Sequence, residues 1–555
     1  MCLTKEMPSS PAANPWMSAR ALWGTAQPPE GWQGASARGP HGTLLYAPQA
    51  GQLDEYPRGD YARRYWTLRA NLGLAEQISQ FVVALRPARW EALVERSLKR
   101  RAVYVHLLVA WEDGCGAWGL IDHGQHTVFA WAAALRYCAL DARRRGGALL
   151  LAVSPLAFRR WAILALGRLL GGESLTILAC GGEALTRGLD ARWERLGEDW
   201  ALRPAGAAAR LKQPGAIRVA RRRPNPIQLE APCWAGVVEG LREAEWRTLE
   251  GIAWCPLIGE GELSALYGAS DIAELEAGGL IARAEGGGWV LSACGEALMA
   301  MRDVGGEWSR RRAHLAGEAR RQAGHTRAVY RFFARLRRDL EQLARATRPL
   351  EDGRPYYEWG VYHSELIAAH RYLRDGKARI YRPDGYGSIR VGTRWVRFFV
   401  ELDGWLDESG RVGGRSVCSY QVWLEKLARR RDYRLSGWWA LRYPDFPALL
   451  VVTTDARNLA LIQAALVALG EADEVRVALA EDVWRAGATA RVWRAVSGRG
   501  AGEYDYLAPG FAQPGLVARG QDRPDALAAV ARANALRAAA EAWATGQRKR
   551  RRERR

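Results

Sequence analysis

Two stretches of the chain run through the same order of elements, and that order limits the fold more than any other feature. Residues 118–180 read strand WGLID, helix AWAAALRYCAL, strand ALLLAVS, helix RRWAILALGRLL, strand SLTILAC. Residues 398–478 read strand FFVELD, helix YQVWLEKLARR, strand ALLVVTT, helix NLALIQAALVAL, strand EVRVAL. Short apolar runs alternating with stretches of helical period place both in the α/β class. Laying LID on ELD sets Leu120 at the place of Glu401 and Asp122 at that of Asp403. Laying the helices through Leu135 and Leu427 sets Ala134 opposite Lys426. Duplication would make the first domain a decayed copy with no metal site; convergence of two ordinary β-α-β-α-β runs is the other explanation, and both stay open.

A chain of 555 residues divides into several domains. Residues 1–60, dense in Pro, Gly, Ser and Ala, read as a mobile arm. An α/β domain follows at 61–205, with helical stretches near 72–99 and 182–197. A basic linker spans 206–232, and residues 233–304 differ in character: helix, two short helices, a glycine-turned β-pair and a closing helix. That order is a winged helix, with Leu263, Leu266, Ile272, Leu275 and Leu280 as its core and Gly286–Gly288 as the wing tip. Its presumed recognition helix carries Asp271, Glu274 and Glu276, which repel phosphate, so DNA binding and a packing or dimerisation role both stand. A connecting helix at 305–347, with the stripe Val329, Phe332, Phe333, Leu336, Leu340 and Leu343, leads to the last domain at 348–508; a helix and basic tail end the chain at 509–555. His325, alone on the connecting helix, reads as structural.

Net charge is +20, concentrated in two places. Residues 210–226 carry six positive charges and no negative one, among them Arg221, Arg222 and Arg223. Residues 547–555 carry seven against one, among them Arg548, Lys549, Arg550, Arg551 and Arg552. Such blocks bind polyanions by counterion release, and DNA is the natural partner. No window has the roughly 18 apolar residues of a membrane span. The start, MCLTKEMPSSP, lacks the apolar stretch of an export signal, which predicts a cytoplasmic protein. The eight cysteines form no CxxC, so neither zinc nor disulfides are expected.

The chemistry falls in the last domain, which reads α-β-β-β-α-β: a helix over 356–373, strands ARIYR, GSIRVG and TRWVRFFVELDGW, a helix through Lys426, and strand ALLVVTT. Side chains alternate along a strand, so Glu401 and Asp403 share a face, and Asp384 begins the neighbouring strand. Carboxylates gathered beside apolar strands repel unless a cation neutralises them, and hard oxygen donors select Mg²⁺ or Mn²⁺. Only six of the 80 cationic residues are lysine, so Lys426 stands out as a compact charge kept where arginine is the rule.

This order resembles the PD-(D/E)xK nuclease core in a variant whose lysine lies on the helix. More closely, 241–470 resembles the replication-relaxation family of bacterial plasmids and integrative elements. The likeness rests on L-x-x-G-G-L-I at 275–281, HT at 325 and 326, RPDG at 382–385, FFVELD at 398–403 and LEKL at 424–427. The family commonly follows ELD with Arg and a small hydroxyl residue, where this chain has Gly404 and Trp405. The resemblance implies metal ligands at Asp384 and Glu401, and a catalytic charge at Lys426. It implies a further carboxylate at Glu365, with Glu358 as runner-up. Asp403 is an additional candidate. The expected protein is a DNA-binding, Mg- or Mn-dependent nuclease of a mobile element, acting in its replication or transfer. The alternatives are a non-catalytic DNA-binding regulator with a vestigial nuclease fold, and an interaction scaffold. Oligomeric state is not legible.

Overall fold

The computed structural model describes residues 14–47, 59–205, 237–302 and 322–505, apart from short stretches within them. The described chain is mixed α/β and divides into two compact units, residues 1–241 with 297–309, and residues 242–296 with 310–555. The basic segments at 210–226 and 547–555 lie outside the described residues. Among the described residues, no helix is long and apolar enough to cross a membrane.

Seven strands form the main sheet of the first unit and lie side by side in chain order: β1 (Arg89–Leu98), β2 (Arg101–Ala110), β3 (Gly116–Ile121), β4 (Ala148–Val153), β5 (Leu175–Cys180), β6 (Glu194–Leu196) and β7 (Leu202–Pro204). The first three pair antiparallel, β3–β4–β5 pair parallel, and the last three pair antiparallel again. Helix α1 (Leu72–Leu85) precedes β1, while α2 (Ala132–Arg145) and α3 (Ala157–Gly171) make the two parallel crossovers. Every residue of β3 and β4 is buried, which is why these strands read as unbroken apolar runs.

Three expectations for this unit change. The helix over 72–99 ends at Leu85, where Arg86 takes a left-handed backbone (φ 48°) as its cap, and 89–98 is a strand because β2 offers it a full-length partner. The helix over 182–197 is one turn, Ala184–Arg187, followed by a 3₁₀ turn and β6. The stretch 17–47, expected within a mobile arm, holds strands Met17–Ser18, Ala35–Arg38 and Leu44–Ala47 and the helix Ala19–Trp23. Its aromatics pack on one another, Trp32 lying 5.5 Å from Trp23 and 5.2 Å from Tyr46, while buried Trp16 packs on Tyr65 at 5.1 Å.

The second unit opens with α4 (Glu243–Trp254), α5 (Glu260–Tyr267), α6 (Ile272–Ala277) and the hairpin β8 (Ile281–Arg283) with β9 (Trp289–Leu291); α7 (Ala293–Arg302) follows, its residues from 297 on belonging to the first unit. All five residues expected in the core here are buried. The acidic residues around α6 are engaged internally: Arg242 reaches Asp271 at 3.1 Å and Glu274 at 3.2 Å, and Arg283 reaches Glu276 at 3.7 Å.

Helix α8 (Ala323–Ala346) is a core helix rather than a connector. Phe333 stacks on Phe398 with centroids 6.3 Å apart, Arg337 donates to the Leu266 carbonyl at 2.9 Å, and the Tyr330 hydroxyl donates to the Pro256 carbonyl at 3.2 Å. It supplies the leading helix of the α-β-β-β-α-β order. The helix expected over 356–373 is instead β10 (Tyr357–Ser364), a single turn Glu365–Ala368, and one arm of the hairpin His370–Arg374 with Lys377–Tyr381. Pairing with the next strand overrides the local helical pattern there. The sheet continues with β11 (Gly385–Val391), β12 (Arg394–Asp403), β13 (Ala448–Thr453), β14 (Val475–Leu479), β15 (Trp493–Ser497) and β16 (Gly500–Asp505). Helices α9 (Tyr420–Ser436) and α10 (Asn458–Leu469) cross between β12, β13 and β14.

Strand order and pairing repeat those of the first unit. The seven strands again lie in chain order, antiparallel across β10–β11–β12, parallel across β12–β13–β14, and antiparallel to β16. A helix precedes the first strand and two helices make the crossovers in both units.

Candidate functional site

Asp384 and Glu401 meet because of strand register. Gly385 on β11 faces Val400 on β12, so Asp384 stands at the next rung, beside Glu401. Asp384 Oδ2 accepts the Leu402 backbone N–H at 2.7 Å, which pins the carboxylate across the strand end. Ser364 faces Gly385 on the other side, which brings Glu365 to the same end of the sheet.

Two cations close the cluster. Lys426, one turn and a half into α9, points back at the sheet and puts Nζ 2.7 Å from Glu401 Oε2, with the ammonium 5.3 Å from the Trp423 ring. His325, near the start of α8, puts Nε2 3.3 Å from Asp384 Oδ2 and 3.1 Å from the Leu402 carbonyl. Trp405 stands edge-on to the imidazole at 5.9 Å. His325 is the member that sequence reading assigned to structure. Its signal was the HT pair itself, but nothing in the sequence shows that α8 begins over β12.

Burial and charge set the protonation of this cluster. Burial raises Glu401 to about 7; Lys426 opposes that rise and the neighbouring Asp384 adds to it. Burial works against charge on His325, yet the Asp384 carboxylate, the Leu402 carbonyl and Glu365 outweigh it and carry the imidazole up to about 9. Burial also works against charge on Asp384, but His325 and then Lys426 hold it below the ordinary carboxylate value. Burial opposes charge on Lys426 as well, and Glu401 and Asp384 overcome it, keeping the ammonium protonated.

The remaining predicted carboxylates separate. Glu365 is ion-paired with Arg382 at 2.5 Å and stays at the edge of the cluster. Glu358 faces Arg390 and is paired with it, six residues along β11 from Asp384, or about 20 Å at ~3.4 Å per residue. The strand that replaced the expected helix carries Glu358 away, and it is not part of this site. Asp403 shares the Glu401 face but is tied into a different network, accepting from Asn458 Nδ2 and Ser416 Oγ, both at 2.5 Å, and from Thr453 Oγ1 at 3.4 Å. Gly404 takes φ 83°, where a side chain would collide with the Thr454 hydroxyl.

The donor set suits a hard divalent ion. Asp384 Oδ1 and Glu401 Oε1 receive no hydrogen bond among the described residues, and the two carboxylates sit close enough to raise one another's cost of ionisation. Among the described residues no three His, Cys, Asp or Glu are grouped to hold a metal ion by themselves. Two carboxylates completed by water and substrate phosphate are a common Mg²⁺ arrangement.

The first unit carries counterparts of Asp384, Glu401, Asp403 and Lys426. Ile121 N–H donates to His106 Nδ1 at 2.9 Å, as Leu402 N–H does to Asp384, and Leu107 faces Gly119 as Gly385 faces Val400. His106 therefore stands where Asp384 stands, Leu120 where Glu401 stands, and Asp122 where Asp403 stands. Ser154 Oγ donates to Asp122 at 2.6 Å as Thr453 does to Asp403, and five residues on, Arg159 takes the place of Asn458. Trp131 lies beside Arg159 as Trp423 lies beside Asn458, which sets buried Ala134 at the place of Lys426.

No family model matches the chain, and no curated protein and no solved structure is similar to it at a significant level.

Proposed function

We propose that the chain is a DNA-binding, metal-dependent nuclease-like protein whose phosphodiester chemistry belongs to the second unit. The observation that carries this reading is the meeting of Asp384, Glu401, Lys426 and His325 at one end of β11 and β12. Asp384 and Glu401 would hold Mg²⁺ or Mn²⁺, which when bound would make water more acidic and offset charge on the phosphate. Lys426 steadies Glu401 and presents a point charge to the phosphate oxygens, and His325 fixes Asp384 from the opposite face of the sheet. Asp403 orders the crossover turn. The helix-helix-helix-hairpin module at 243–302 is read as a winged helix. The shared strand order and shared backbone hydrogen bonds support reading the first unit as a duplicated copy that has lost the acidic centre. A role in the replication or transfer of a plasmid or other mobile element rests on the motif resemblance.

The ion pairs of Glu401 with Lys426 and of Asp384 with His325 favour a second reading, a DNA-binding regulator in which internal cations have replaced the metal. A plasmid-nicking assay with and without Mg²⁺ or Mn²⁺ separates the two. The nuclease reading expects divalent-dependent cleavage that Glu401→Ala abolishes while DNA binding persists. Absence of cleavage on single- and double-stranded DNA and RNA leaves the regulator.

A further inference from the structure

A cleft of about 1440 Å³ opens in the first unit, on residues that take no part in the carboxylate site or its counterpart. Four arginines line it: Arg20 from the helix Ala19–Trp23, Arg38 from the adjoining strand, Arg86 from the cap of α1, and Arg187 from the turn before β6. All four are exposed, and Asp190 is the one carboxylate among the described residues of the lining. The Arg38 guanidinium donates to the Gly42 carbonyl at 2.9 Å, while the side chains of Arg20, Arg86 and Arg187 form no ion pair or hydrogen bond among the described residues. Four guanidinium groups held around one concavity repel each other, and a single carboxylate offsets only part of that repulsion.

We infer that this cleft binds a single strand of nucleic acid through its phosphates. The volume exceeds the ~300–1,000 Å³ that encloses a small ligand, so a run of nucleotides fits it better than one. A duplex is too stiff and wide a rod to enter a concavity of this size, whereas a single strand bends to follow it. Guanidinium forks match phosphate oxygens in pairs. Tyr46 and Trp111, the aromatics among the described residues of the lining, are buried and present no open face for stacking; the cleft holds the strand by charge and without sequence preference. Arg86 takes left-handed backbone as the cap that ends α1, which sets its side chain on the cleft lining. The inference rests on the nucleic-acid part of the proposed function and is independent of its catalytic part.

The test uses the full chain in EDTA, so that cleavage plays no part, with a fluorescent oligothymidylate of about 20 nucleotides and titrations at several salt concentrations. Changing Arg20, Arg38, Arg86 and Arg187 together to Gln is expected to weaken binding on the order of tenfold or more. It should also flatten the slope of log affinity against log salt by roughly 3, at ~0.7 for each phosphate no longer neutralised. The corresponding fourfold change to Lys should keep most of the slope, because charge survives while the fork is lost. All four side chains are exposed, and circular dichroism with a thermal melt confirms that each variant is folded. If the Gln variant binds as tightly as the parent with the same slope, the strand lies elsewhere and the inference fails. It fails equally if a free mononucleotide displaces the oligonucleotide at matched phosphate concentration, or if the loss is confined to a duplex probe. A parent chain that binds no oligothymidylate overturns the inference as well, and only one that binds neither single-stranded nor duplex DNA also overturns the proposed function.

Discussion

Equivalent rungs of the two seven-stranded sheets hold Asp384 in one unit and His106 in the other, each accepting the equivalent backbone N–H. Around that shared hydrogen bond the two units diverge in charge. In the second, Glu401 and Lys426 add a second carboxylate and a cation; in the first, buried Leu120 and Ala134 fill those places with hydrocarbon. Deeper in the turn the order reverses. Asp122 is closed by a charged partner, Arg159, whereas Asp403 is held by the neutral groups of Asn458, Ser416 and Thr453. A fold position can thus keep its hydrogen-bond geometry while its chemistry changes completely, because the backbone donor asks only for an acceptor.

The largest effect expected from breaking this comparison is on cleavage. Glu401→Gln should reduce divalent-dependent nicking by at least about 100-fold, the loss typical of removing one charged catalytic group, while His106→Asn leaves the rate within a few-fold. Equal losses in both variants would mean that the two positions are not functionally distinct.

Stability should separate the units next. Arg159→Ala takes the cation from the buried Asp122 carboxylate, which keeps the Ser154 hydroxyl, and should cost about 3–5 kcal/mol in the first unit, read by denaturant unfolding. Asn458→Ala, which removes a neutral donor from a carboxylate that keeps two hydroxyl partners, should cost about 1–3 kcal/mol. A larger cost for Asn458→Ala would overturn the assignment of Arg159 as the tighter lock.

A pH titration sharpens the contrast further. His325 is raised from its ordinary 6.5 to about 9, so the folded state binds its proton more tightly than the unfolded state. That contribution is complete below about 6.5 and is lost as pH rises through about 9. Glu401, raised to about 7, acts in the same sense between its ordinary value and 7. Hydrogen exchange in β12 should therefore quicken between pH 6.5 and 9 after correction for intrinsic rates, and His325→Gln should flatten that dependence. The smallest effect expected is from removing residues 547–555: the salt slope of DNA binding should fall, and the remaining slope should belong to the other basic surfaces, the cleft among them.

Much of the second site was legible because its ligands lie on elements whose type the sequence states plainly. FFVELD is a buried strand and LEKL a helix, and the turn at Pro383–Asp384–Gly385 marks where the neighbouring strand begins. Glu358 was misplaced because its segment carries a helical spacing of apolar residues that β11 overrides by pairing. His325 was set aside because one histidine on an amphipathic helix carries no sign of what its first turn will touch.

The alternation of apolar strands with helical segments determined by itself that this chain builds α/β units, since burying both faces of a strand requires it. The sequence also aligned Asp122 with Asp403 and Ala134 with Lys426. Only the tertiary structure decided which acidic residues meet and which cations they meet. Register across antiparallel strands set Asp384 beside Glu401, and the packing of α8 and α9 on opposite faces of the sheet brought His325 and Lys426 to them. Those contacts join residues tens of positions apart, and local periodicity carries no information about the distance between them.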